Sequence, residues 1–173
     1  MDEVGDIRVA AYRAGGFLSE DSEYAATLHD LGADGLGHVL VALDDEHDGG
    51  AGSGEPILGT VMLQLWPHAG HVVTGPDEAE IRALAVRPKA QGQGTGSELL
   101  AKIMERAAAI GVPRLVLCTE PGMRAAHRLY ERAGFTRLPE RDWSPAPGVT
   151  LIAYALDLRP DHLSTRPSKL RTS

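Results

Sequence analysis

"QGQGTG", residues 91–96, lies between a strand-like run, "AEIRALAVRP" (79–88), and a helix-like run, "SELLAKIMERAAAIG" (97–111). Glycines at 92, 94 and 96 are costly in regular structure, because each loses extra backbone freedom on folding. The run before them alternates: Ile81, Ala83 and Ala85 on one face, Glu80, Arg82, Leu84 and Val86 on the other. It therefore reads as a strand closed by Pro88. In the run after them, Leu99, Ile103 and Ile110 form a stripe with Leu100, Met104 and Ala107. Gly111 and Pro113 then stop the helix. Thr95 and Glu98 have capping-box spacing, which places the helix start at the glycines.

A helix's first turn carries main-chain N–H groups with no internal partner, and the helix dipole adds positive character there. Glycine at 92, 94 and 96 removes side chains that would hold a ligand away from those donors. The junction is an anion cradle suited to phosphates. It is not a Walker loop, since no lysine follows the glycines, nor a dinucleotide fingerprint, since Ser97 takes the place of the third glycine. A flexible turn with glycines for close packing is the rival reading.

Outward from the junction, "HVLVAL" (38–43), "ILGTVMLQLW" (57–66), "RLVLCT" (114–119) and "GVTLIAYALDL" (148–158) read as strands. "MRAAHRLYERAG" (123–134) reads as a helix with Ala126, Leu129, Tyr130 and Ala133 inward and Gly134 as its stop. "SEDSEYAATLHDLG" (19–32) reads as another, capped by Ser19 or Asp21. "VGDIRVAAY" (4–12) fits either period, and helix is the preferred reading. "DDEHDGGAGSGEP" (44–56) reads as a solvated loop and 159–173 as a flexible tail, leaving one domain over residues 1–158. The order of elements predicts an α+β, mixed α/β layer fold.

Composition sets the outer bounds. A chain of 173 residues, 43 % hydrophobic and 24 % charged, has the makeup of a soluble domain. The net charge of −7 points away from nucleic acid and is compatible with a cationic substrate. Cys118 is the only cysteine, which excludes an internal disulfide and any multi-cysteine zinc site. His68 and His71 have no third ligand in the pattern, so no metal is expected. With no membrane-spanning run and an acidic amino terminus, a cytoplasmic protein is expected.

Gln91-x-x-Gly94-x-Gly96, preceded by "EIRALAVRP" and followed by an amphipathic helix, resembles the [Q/R]-x-x-G-x-[G/A] signature of the GNAT superfamily, the acetyl-CoA-dependent N-acetyltransferases. "AAHRLYERAGF" (125–135) resembles that family's second signature, a helix carrying tyrosine and ending in G-F. The close likeness covers 79–136, and element order extends it to 36–158.

The resemblance implies a mostly antiparallel central sheet with one parallel, splayed strand pair, flanked by helices. The main chain of Leu84, Ala85 and Val86 would bond the pantetheine arm as an added strand does. The segment Gln91, Gly92, Gln93, Gly94, Thr95, Gly96 and Ser97 would hold the pyrophosphate, with Arg87 and Lys89 adding charge or standing as solvated surface cations. Glu80 lies at the spacing of the general base in histone-type members, on the face that alternation shares with Leu84 and Val86. Tyr130 matches the tyrosine placed near the thioester sulfur as proton donor. Cys118 reads as an inert buried thiol, and Trp66 and Trp143 as packing or as walls of an acceptor pocket. That pocket would be built by the early helices, the 70–77 loop and "PERDWSPAPG" (139–148).

Two departures narrow the branch. Met123 stands where many members carry a cofactor-touching asparagine, and Cys118 where ribosomal-protein acetylating members carry a basic glutamate. The reading is direct acetyl transfer from acetyl-CoA to a small-molecule or peptide amine, with a homodimer compatible with the family likeness. A GNAT-like module that binds acyl-CoA without turnover is the alternative.

Overall fold

The computed structural model describes residues 2–44 and 57–158. The solvated loop read at 44–56 and the tail at 159–173 otherwise lie outside the described residues. The chain runs α1 (Asp2–Ala14), α2 (Tyr24–Asp30), β1 (Gly37–Leu43), β2 (Ile57–Leu65), β3 (Glu78–Val86), α3 (Thr95–Ala109) and β4 (Arg114–Thr119). It continues through α4 (Arg124–Arg132), β5 (Thr136–Arg137), β6 (Trp143–Ala146) and β7 (Val149–Asp157). The strands lie in the order β1-β2-β3-β4-β7-β5, with β6 on β7. Every pairing is antiparallel except β3 with β4, as a connection through a helix requires. This is the expected α+β class with its single parallel pair.

The central strands are covered on both faces, which is why β2 is buried at every position from Gly59 to Gln64. Val61 and Leu63 pack with Leu99, Leu100 and Ile103 of α3, and with Tyr130 and Phe135 beyond it. Met62 points the other way, toward Gly32 just after α2. There α1 lies on β2 and β3 and against α2. Gly5 permits that helix contact, because a Cβ there would stand 2.5 Å from the His29 ring.

Several local expectations need correction. The helix over 19–32 forms only from Tyr24, and its N-cap is Glu23 without a side-chain bond; neither Ser19 nor Asp21 caps it. The helix after the glycines begins at Thr95 with Gly94 as N-cap, so Thr95 sits inside the first turn and forms no capping box with Glu98. Ile110 leaves the core stripe and is 37 % exposed at the helix end. The segment 4–12 is helix, while the short strands β5 and β6 have too little pattern to be read individually.

The most consequential correction concerns β3. Its register against β2 slips between Thr60 and Met62, and Ala83 has a φ of 51°, the mark of a bulge. The extra residue resets the alternation. Ala79 and Ile81 share a core face with Leu84 and Val86. Glu80 therefore points to the face opposite Leu84 and Val86, not with them.

Candidate functional site

β3 and β4 pair from Glu78 opposite Arg114 to Ile81 opposite Leu117, and no further. Beyond that point β3 continues through Val86 and β4 through Thr119 without bonding each other. The main chain of Leu84, Ala85 and Val86 thus keeps β2 on one side and a gap on the other. The bulge at Ala83 sits where the strands separate.

The glycine turn follows at the end of β3. Gly92 and Gly94 have φ of 77° and 92°, and a Cβ on either would meet nothing within 4 Å. Their role is conformational and leaves one side open; close packing does not explain them. Among the described residues, the amides of Gly92, Gln93, Gly94, Thr95, Gly96 and Ser97 donate no hydrogen bond, the first helical bond being Glu98 N–H to the Gly94 carbonyl at 3.0 Å. Six consecutive donors at a helix start fit a diphosphate. Gln91 uses its side-chain amide to hold the Val86 carbonyl at 3.1 Å, and Gln93 holds the Lys89 carbonyl at 3.2 Å. The Arg87 guanidinium bonds the Ile57 carbonyl and lies 2.8 Å from Glu3.

On the other side of the splay opens a cleft of about 550 Å³. Its walls are Tyr12 of α1, Phe17 of the turn after it, Tyr24 of α2, His71 of the 66–77 loop, and Trp143 of β6. These are the segments expected to build an acceptor pocket. Glu80, Arg82, Cys118 and Glu120 line its sheet side. Trp143 faces His71 with ring centroids 4.9 Å apart, whereas Trp66 is 47 % exposed and lines no part of the cleft.

Glu80 is 7 % exposed, accepts the Gly70 N–H at 2.7 Å and lies 3.7 Å from the Arg82 guanidinium. Burial raises its pKa above the ordinary carboxylate range, and Arg82, the Gly70 amide and His71 only partly oppose that. Arg82 is itself held by Gln64 at 2.9 Å. A buried carboxyl with a raised pKa, facing a cleft, can take a proton from an amine near neutral pH.

Tyr130 lies in the core, 7 % exposed, tilted against Phe135 and Tyr154 at 6.0 and 6.2 Å, and is not among the residues lining the cleft. Burial pushes its phenol upward. The Tyr12 phenol, which does line the cleft, is likewise raised chiefly by burial. Cys118 is raised to about 11 by burial, which leaves it a neutral thiol. Met123 accepts the Thr119 hydroxyl at 3.4 Å through its sulfur.

Two cleft residues carried no sequence signal. Tyr12 ends a segment that fits either period, and Glu120 follows β4 without motif or spacing to mark it. Burial raises the Glu120 carboxyl too. Among the described residues no group of three or more His, Cys, Asp or Glu is arranged to hold a metal, and no helix is long and apolar enough to cross a membrane.

Known proteins resemble this chain in sequence or in fold. An amino-acid acetyltransferase of Neisseria meningitidis is 38 % identical over 96 residues, covering 55 % of this chain and 19 % of that one. A mycothiol acetyltransferase of Beutenbergia cavernae is 33 % identical over 130 residues, 73 % of this chain and 39 % of that one. The chain thus spans about a fifth to two fifths of the length of these relatives. Among solved structures, a GNAT-family acetyltransferase from Staphylococcus aureus superposes with a TM-score of 0.67 at 16 % identity, covering 91 % of this chain and 92 % of that one. A Bacillus subtilis acetyltransferase in complex with CoA gives 0.62 at 19 %, covering 92 % and 93 %. The family model for GNAT acetyltransferases matches residues 1–135, and the chain belongs to that family.

Proposed function

We propose that this chain is an acetyl-CoA-dependent N-acetyltransferase that moves the acetyl group directly to a primary amine. The observation that carries the reading is the run of six unclaimed amides, Gly92 to Ser97, at the end of the strand that leaves its parallel partner. Those amides hold the diphosphate. The free edge of Leu84, Ala85 and Val86 takes the pantetheine arm as a strand would, and a β3 amide near Leu84 polarises the thioester carbonyl.

Glu80 accepts the proton of the attacking amine, directly or through one water, as the new C–N bond forms and the C–S bond breaks. Tyr130 donates a hydrogen bond to the departing sulfur. Its raised pKa lies above that of a thiol, about 8.5, so the phenol stabilises the thiolate without surrendering its proton. Solvent then protonates the sulfur and Glu80 releases its proton to bulk water.

The test is acetyl transfer over an amine panel, read as released CoA against pH. Glu80→Gln is expected to lower kcat by about a hundredfold and to abolish the acid limb of the profile. An unaltered profile removes Glu80 from the base role. CoA binding without product on any amine would instead favour a binding module.

A further inference from the structure

The cleft carries an uneven charge. Among the described residues, Glu23, Glu80 and Glu120 line it against a single guanidinium, Arg82, which reaches Gln64 at 2.9 Å and Glu80 at 3.7 Å. Glu120 differs from Glu80 in having no hydrogen bond or ion pair to its carboxylate among the described residues, although its main-chain carbonyl is held by His127 at 2.9 Å. Glu80 stands opposite Val116 in the parallel register. Glu120 is the first residue past β4, four positions beyond Val116, which at strand rise is about 13 Å, and it lines the cleft with Cys118. Between them the walls are aromatic and apolar, including Tyr12, Phe17 and Trp143.

We infer that the acceptor is a dication: an amine to be acetylated at Glu80, an apolar stem of roughly 10 Å along the aromatic walls, and a second ammonium held by Glu120. This inference rests on the acetyl-transfer reading for the identity of the reacting end and on the cleft alone for the second site. The stem buries against the aromatic side chains, whose faces also favour a cation. A partly desolvated carboxylate without a partner gains more from an ammonium than a solvated one does. A free amino acid is disfavoured, since its carboxylate would meet three glutamates against one arginine that Glu80 already partly neutralises.

The experiment compares three probes of equal length: a straight seven-carbon diamine, the corresponding monoamine, and the amino acid bearing a carboxylate in place of the second amine. Turnover is measured for each, and binding is measured by calorimetry in the presence of CoA, where no transfer occurs. The diamine is expected to exceed the monoamine in kcat/KM by about tenfold or more, and the amino acid to be the poorest. Glu120→Gln should bring the diamine-to-monoamine ratio toward one in both measurements, and Glu120→Lys should invert the ranking in favour of the amino acid.

An unchanged ratio in Glu120→Gln, or a preference of the parent protein for the amino acid, overturns the inference. If no probe is acetylated but Glu120→Gln still weakens diamine binding, the second-ammonium site stands and only the transfer reading falls. Absence of diamine binding to the parent protein overturns the site.

Discussion

Replacing Gly94 with aspartate separates anion binding from folding. Gly94 is the N-cap of α3 at φ 92°, where a side chain costs about 1 kcal/mol of backbone strain. Aspartate tolerates that conformation better than most residues, and capping a helix returns a few tenths of a kcal/mol. A Cβ at 94 meets nothing within 4 Å, so no clash adds to the cost. The fold should lose under about 1 kcal/mol, a few degrees in Tm for a domain of this size. Binding should suffer far more. A carboxylate among the six amides competes for them and stands within about 4–5 Å of any diphosphate, where like charges repel by roughly 4 kcal/mol at a surface dielectric before salt screening. CoA affinity should therefore fall at least about a hundredfold, close to 2.7 kcal/mol. Calorimetry with CoA, and with acetyl-pantetheine as a ligand that lacks the phosphates, reads the difference. Undiminished CoA affinity, or an equal loss for both ligands, would refute the cradle.

Two further outcomes bear on the chemistry. Tyr130→Phe preserves the packing against Phe135 and Tyr154 and removes the hydroxyl proposed to donate to the sulfur, so kcat should fall about ten- to a hundredfold while the Kd for CoA moves far less. Equal losses in steady-state and binding measurements would leave Tyr130 a packing residue. Gly70→Ala would place a Cβ 2.8 Å from the Glu80 carboxylate, displacing it from the Gly70 amide; turnover should drop about tenfold with CoA affinity retained, and unchanged kinetics would mean that the carboxylate needs no such anchor.

Much of this molecule was legible in its sequence because the signals were periodic. The 3.6-residue stripe of Leu99, Ile103 and Ala107 and the apolar run of β4 fixed the long elements to within two residues. The glycine turn was legible because few other uses explain three glycines before a helix. What escaped detection was non-periodic. A bulge at Ala83 inserts one small apolar residue among others, so "RALAV" still alternates on paper while the chain has changed face. The site could be named through Glu80 and yet its facing misread. Tyr12 and Glu120 reach the cleft through α1 docking on β3 and through the end of β4, contacts of long sequence separation that no local pattern encodes.

Glu78 and Glu80 show how one strand separates structure from chemistry. Both precede the bulge on one face of β3, and the side chain of each is 9 % exposed. Burial raises Glu78 as it raises Glu80, but at Glu78 bonds from Arg141 at 2.6 Å and from the Thr74 amide at 2.9 Å prevail, and the net direction is downward. Arg141 also holds the Val72 carbonyl at 2.9 Å, so this pair ties the 72–78 segment to the turn before β6. Depressed in the fold, Glu78 contributes stability above its ordinary pKa, about 4.3, and that contribution is lost as pH falls through the folded value. Glu80 has the opposite sign. Its raised folded pKa favours folding below the ordinary value and opposes it as pH rises through the raised one. Glu78→Gln should therefore cost about 3 kcal/mol at neutral pH, by stranding Arg141, and progressively less in acid. Glu80→Gln should match the parent protein in acid and exceed it in Tm at neutral pH, because the ionised carboxyl that burial penalises is gone. Thermal unfolding of both variants between pH 4 and 8 decides the matter. If the two losses share one sign and one pH dependence, Glu80 is a structural partner like its neighbour, and the poised base must be sought elsewhere in the cleft.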